Sequence, residues 1–171
     1  MLALLIVALL TAPSSQCWRP PVDAPIVDPY REPGCRWCPG NRGVTYGPAP
    51  GSPVRAVASG VVSFAGTVAG TRYVVVALPD GRRVTYGDLA SSGLTVGRAV
   101  VAGQVIGRSS AVLHLGLRIG DRYVDPTPLI GRWVGRPRLI PADGGPPRPA
   151  PPPRLRCRVE PTSPLRPPIR R

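Results

Sequence analysis

From residue 41 to residue 130 the chain runs in short apolar stretches rich in Val, Ile, Leu and Tyr, cut by glycine every few positions. No stretch repeats apolar residues at helical spacing for long enough to make an amphipathic helix. Several instead alternate with period two, the mark of a half-buried strand. The pattern predicts strands at 54–58, 60–65, 72–78, 83–86, 113–119 and 122–124, with short ones at 100–101 and 105–106. Asp80-Gly81 suits a tight hairpin turn, and Gly120-Asp121 marks the last one. Over 113–119, Leu113, Leu115, Leu117 and Ile119 share one face, and His114, Gly116 and Arg118 the other. The expectation is an all-β, antiparallel core with no helix longer than two turns.

The flanks read differently. Residues 17–40 carry proline at a density that blocks helices and central strands, so they are expected to form an extended arm. Trp18, Ile26, Tyr30 and Trp37 are its candidate anchors against the core. After residue 136 the strand pattern dissolves, and P-P-R-P-A-P-P-P-R at 146–154 reads as a polyproline II spacer in a disordered tail. Residues 2–12 are uncharged and apolar, too short to span a bilayer and suited to a signal-peptide core. The expected organisation is a leader at 1–16, an arm at 17–40, a β core at 41–136 and a Pro/Arg-rich tail at 137–171. Such a chain is expected to be secreted or to stand in the cell envelope, held at the membrane if its leader stays uncleaved.

Charge narrows the partners. All 22 basic residues are arginine, and against nine acids they leave a net charge of +13. An excess of that size attracts anionic polymers such as wall material. Neither a basic patch interleaved with aromatics nor a groove-entering helix is legible, which argues against nucleic acid. The missing lysine excludes a lysine Schiff base and a lipoyl- or biotinyl-carrier role.

The cysteines at 17, 35, 38 and 157 are even in number, which in an exported chain points to disulfides. Three pairings are open, and a 17–157 bridge would clasp the two flanks. The C-x-x-C at 35–38 is also redox- or metal-capable, but Pro39-Gly40 follows it in place of a helix whose N-terminus would lower a thiol pKa.

The single histidine, His114, lies on the strand face opposite the leucines. Around it several motifs follow in order: N-R-G-V-T at 41–45, P-G-S-P-V-R-A at 50–56, G-V-V-S-F-A-G at 60–66, T-Y-G-D-L at 85–89, V-G-R-A-V-V-A-G-Q-V-I-G at 96–107, V-L-H-L-G-L-R at 112–118 and Y-V-D-P at 123–126. Their order and spacing resemble the β-sheet core of the M23 metallopeptidases, the lysostaphin- or LytM-type peptidoglycan endopeptidases. The resemblance implies a barrel-sandwich-like, LytM-like core. It also implies a zinc site at positions 41, 45 and 114, with assisting histidines at 88 and 112.

Here those positions hold Asn41, Thr45, His114, Asp88 and Val112. One of three metal ligands remains, and amide and hydroxyl groups are poor substitutes for imidazole and carboxylate. The expected function is therefore a non-catalytic, exported LytM-like domain without a cofactor, which binds peptidoglycan or regulates a separate wall hydrolase. Asn41, Thr45, Asp88, His114 and Arg118 would line its groove. The alternatives are a zinc endopeptidase with ligands rebuilt from Cys35, Cys38, Asp88 and His114, and a structural envelope protein.

Overall fold

The computed structural model describes residues 17–35, 37–135 and 149–157. The expected leader and most of the expected tail lie outside the described residues. Nine strands make one sheet: β1 (Ile26–Asp28), β2 (Gly43–Tyr46), β3 (Pro53–Arg55), β4 (Gly60–Val68), β5 (Thr71–Ala77), β6 (Arg83–Ser91), β7 (Ala99–Val100), β8 (Val105–Ile119) and β9 (Arg122–Val124). A 3-10 turn (Thr127–Leu129) follows, and β10 (Arg132–Val134) and β11 (Arg154–Arg156) form a separate two-stranded sheet. Strand order in the large sheet is β1-β2-β8-β6-β5-β4-β7, with β3 and β9 also paired to β8. Every strand pair is antiparallel. The path ends at β1 and β7, so the sheet is open and does not close into a barrel.

The all-β expectation holds, and turn chemistry explains where the strands stop. Gly51, Gly81, Gly97 and Gly103 all take φ between 81° and 84°, a left-handed conformation that costs glycine nothing. Ala69 and Gly70 are both left-handed in the two-residue link between Val68 and Thr71. A link with both residues left-handed has the twist that a two-residue hairpin needs.

Strand bounds differ from the expected ones because pairing, not periodicity, sets them. The stretches at 105–106 and 113–119 are one strand of 15 residues, since β3 pairs its first part and β2 its second. β6 likewise runs on to Ser91 along β8.

The core lies on one face of this sheet. Leu113, Leu115 and Leu117 are buried with Val44, Val74, Val76, Val84 and Tyr86. Ile119 shares their alternation but is exposed, because it ends its strand at the β8–β9 turn, beyond the core. The amide of Val57 donates to the Tyr86 hydroxyl at 2.8 Å, so this fully buried phenol is satisfied.

The arm is ordered and only partly anchored as expected. Trp18 is 1% exposed and Tyr30 packs against the core, whereas Ile26 is 39% and Trp37 85% exposed. Ile26 sits on the edge strand β1, and Trp37 is carried in the short loop that the Cys35–Cys38 disulfide closes. A second disulfide joins Cys17 to Cys157, and among the described residues no cysteine is free. The described part of the expected tail returns to the domain: Arg154, Leu155 and Arg156 pair with Val134, Trp133 and Arg132. This pairing spans a sequence gap that no local pattern bridges. Among the described residues no helix is long and apolar enough to cross a membrane.

The two disulfides should contribute unequally. Cys17 and Cys157 are 140 residues apart, Cys35 and Cys38 only three. Closing the long loop should stabilise by about 3–5 kcal/mol, and the short one by clearly less. Denaturant unfolding of the Cys17→Ser/Cys157→Ser and Cys35→Ser/Cys38→Ser proteins should show that ranking. Equal midpoints for the two variants would mean that the clasp does not hold.

Candidate functional site

The sheet face opposite the core carries the candidate site. Pairing aligns Thr45 of β2, His114 of β8 and Gly87 of β6 in one row, with Gly43, Gly116 and Thr85 in the next. Glycines leave space for the imidazole: a Cβ on Gly43 would stand 2.7 Å from His114 Cε1, and one on Gly116 3.4 Å from Nε2. A Cβ on Gly87 would meet the Tyr73 ring at 2.7 Å, so β5 contributes the next side chain of the floor. The result is a low, glycine-rich floor with one imidazole set into it.

Asn41 stands at the edge of this floor, 7% exposed. Its Nδ2 donates to Asp28 Oδ2 at 3.0 Å, to the Asp28 carbonyl at 3.2 Å and towards Thr45 Oγ1 at 3.4 Å. Its Oδ1 accepts the Gly43 amide at 3.3 Å. Both ends of the amide are therefore engaged, and Asn41 and Thr45 stand beside His114.

Asp28 was not among the expected groove residues. It reaches the site because β1 pairs with β2, and Asp28 lies opposite Thr45. The backbones of Arg31 and Asn41 also exchange two hydrogen bonds at 3.0 Å, which pin the arm over the edge of the site. The Arg31 guanidinium is ion-paired and hydrogen-bonded to the Asp28 carboxylate and holds its pKa below the ordinary carboxylate value. The only sequence signal for Asp28 was an acid between prolines, which carries no pairing information.

Asp88 and Val112, at the two positions of the assisting histidines, lie at one irregularity. Between the pairs Gly87↔His114 and Leu89↔Ser109, β6 has a single residue, Asp88, against residues 110–113 of β8. Asp88 takes φ 60°, a left-handed conformation that Asp tolerates better than most residues. Its carboxylate acts electrostatically on His114. Val112 offers only an aliphatic side chain there.

Arg118 turns away to the β8–β9 link, where it pairs with Asp121 at 2.5 Å and donates to the Gly120 carbonyl at 3.0 Å. Its guanidinium stacks over Tyr123 beside a neighbouring cavity of about 970 Å³, so the structure does not bring it to His114. Cys35 and Cys38 are consumed by their own disulfide and offer no thiolate. Among the described residues, no group of three or more His, Cys, Asp and Glu side chains is placed to hold a metal ion.

Burial lowers the His114 pKa from its ordinary 6.5, and the carboxylates of Asp88 and Asp28 oppose this without overcoming it. The imidazole is therefore neutral at neutral pH. The unfolded chain takes up a proton near pH 6.5 that the folded chain refuses until lower pH. Stability from this group is fully present above pH 6.5 and is lost as pH falls through the folded value. His114→Gln should flatten the stability–pH curve below that point. Asp28→Asn, which removes an opposing charge, should steepen it. Urea titrations between pH 4 and 8 would decide, and an unchanged slope in His114→Gln would refute the assignment.

Comparison with known proteins fits this geometry. An uncharacterized protein of Mycobacterium tuberculosis is 38% identical over 107 residues, covering 55% of this chain and 43% of that protein. The chain thus spans less than half the length of this relative. Among solved structures, Helicobacter pylori Csd3 matches with a TM-score of 0.58 and 27% identity, over 68% of this chain and 37% of that one. The catalytic domain of the prophage-encoded M23 protein EnpA from Enterococcus faecalis matches at 0.53 and 25%, over 64% of this chain and 95% of that one. The model of peptidase family M23 matches residues 39–126, which hold the floor, Asn41, Thr45, Asp88, Val112 and His114, and the chain belongs to peptidase family M23.

Proposed function

We propose that this chain is a non-catalytic M23 domain that works outside the cytoplasm and holds a peptidoglycan stem peptide in the groove above His114. The observation that carries the reading is the state of Asn41. At a position where the family resemblance implies a metal ligand, its amide nitrogen is turned towards Asp28 and Thr45 and its oxygen is bonded to the Gly43 amide. Zinc sites use thiolate, imidazole and carboxylate donors, four in structural sites and three plus water in catalytic ones. The groups at 41, 45 and 114 are an amide, a hydroxyl and one imidazole, and this set does not fit zinc. Without a metal, no hydroxide is generated at neutral pH, and with Val112 beside it the site has no second imidazole to move a proton.

The same groups suit binding. Gly43, Gly87 and Gly116 make room for the His114 and Tyr73 rings, so an extended peptide laid on this floor would meet those rings. The neutral His114 imidazole has one nitrogen to donate and one to accept. Asp88 brings a carboxylate to this patch in a chain of net charge +13, while the Asp28 carboxylate is already paired with Arg31. A peptide bearing a free side-chain amine, as a diamino acid of a peptidoglycan stem does, matches that charge. The wider family's association with walls, and the export expected from the sequence, give the domain access to such peptides.

The purified full chain should carry no stoichiometric zinc, leave peptidoglycan uncut and bind stem peptides that retain the free amine. Acetylating that amine, or Asp88→Asn, should weaken binding about tenfold, the loss of roughly 1.4 kcal/mol. Asn41→His with Thr45→Asp should restore a three-ligand set with His114 and raise zinc uptake. Turnover should stay poor until Val112→His is added. Stoichiometric zinc in the unaltered chain, with hydrolysis abolished by a chelator, would overturn the proposal.

A further inference from the structure

A second site lies away from the groove, where the arm meets the β10–β11 hairpin. A cleft of about 1130 Å³ opens there, bounded by arm residues 19–26, β3 and the hairpin. Four arginines line it, Arg19, Arg55, Arg132 and Arg156, against one acid, Asp23. All four belong to segments drawn together by the Cys17–Cys157 disulfide and the pairing around it.

The pairing itself suits an anionic ligand. Arg132 and Arg156 stand directly opposite each other in the two-stranded sheet. Like charges placed so are destabilising. Among the described residues neither is ion-paired to a carboxylate. Among the described residues, the other cross-strand arginine pair, Arg83↔Arg118 of the nine-stranded sheet, differs in that Asp121 neutralises Arg118. Both side chains are exposed, so the repulsion is modest, but no carboxylate offsets it.

Two further features suit a ligand with both charge and sugar surface. Trp133 is 46% exposed at the cleft, with the Arg19 guanidinium 5.6 Å from its ring centroid. Tyr46 also lines the cleft, is 2% exposed, and its hydroxyl has no hydrogen-bond partner among the described residues. A buried donor left unpaired is costly, and a ligand oxygen would reach this closed-off hydroxyl only with a shift of the cleft's lining.

We propose that this cleft binds a phosphate-bearing glycan. Arginine forks fit phosphate oxygens two at a time, and a phosphodiester between the strands would relieve the Arg132–Arg156 repulsion. Trp133 supplies the flat apolar surface on which a sugar ring stacks. Nothing in this argument depends on the groove above His114, so the two readings fail separately.

The test uses the oxidised full chain and a phosphomannan, with phosphate-free mannan and inorganic polyphosphate as the comparison probes. The chain should bind phosphomannan at least tenfold more tightly than either. Arg132→Ala/Arg156→Ala should cut that affinity at least tenfold without lowering the thermal midpoint, because the repulsion goes with the charges. Should that variant unfold, Trp133→Ala supplies the second reading, and it should weaken phosphomannan but not polyphosphate. Arg83→Ala/Arg98→Ala removes the same charge elsewhere and should change nothing. Equal losses from both arginine pairs would reduce the effect to net charge and overturn the site. Equal binding of mannan and phosphomannan, or of polyphosphate and phosphomannan, would overturn the ligand class.

Discussion

The structure depends on one long strand used on both faces. β8 pairs with β2, β3, β6 and β9, so four other strands take their position from it. Its period-two alternation sends Leu113, Leu115 and Leu117 into the core and leaves His114 and Gly116 on the opposite floor. A slip of one residue would bury the imidazole among valines and turn three leucines outward. Core and site are thus set by the same register, and neither can move without the other.

The arm adds the constraint that the sheet alone lacks. β2 would end the sheet with a bare edge if β1 did not pair with it, and prolines 25 and 29 flank β1 where an edge strand tolerates them. That cover brings Asp28 to Asn41. It gives the site a carboxylate from outside the segment that the family model matches, residues 39–126. The charge next to His114 is therefore a property of this chain's flank as well as of its shared core.

What the sequence made legible was local. Glycine-spaced turns, the alternation over 113–119 and the ordered motifs were enough for an all-β core of the right family, because each depends on residues close in sequence. Remote pairings were not legible. Nothing in R-W-V at 132–134 or R-L-R at 154–156 signals that these segments meet, and proline-rich composition around 146–154 argues for an extended spacer. Asp28 escaped for the same reason. Ile119 and Arg118 followed the alternation correctly but misled about environment, since the strand outruns the core and turns back at Gly120. Asn41, Thr45 and His114 lie near one another because the pairing of β2 with β8 keeps the motif spacing.

The two candidate sites share a strand and differ in chemistry. Thr45 faces the His114 floor, while Tyr46, the next residue, belongs to the core face and lines the arginine cleft. Alternation along β2 therefore separates a carboxylate-flanked groove from a cleft of four arginines by the thickness of one sheet. The net charge of +13 gives no hint of this division. A surface of uniform charge would attract one class of ligand everywhere, and screening would weaken all of it together. A divided surface presents unlike chemistry on its two faces. The Cys17–Cys157 clasp shapes the arginine cleft directly and reaches the groove only through the stability of the whole domain, since the groove is built from β2, β5, β6, β8 and the arm strand β1, none of which it joins.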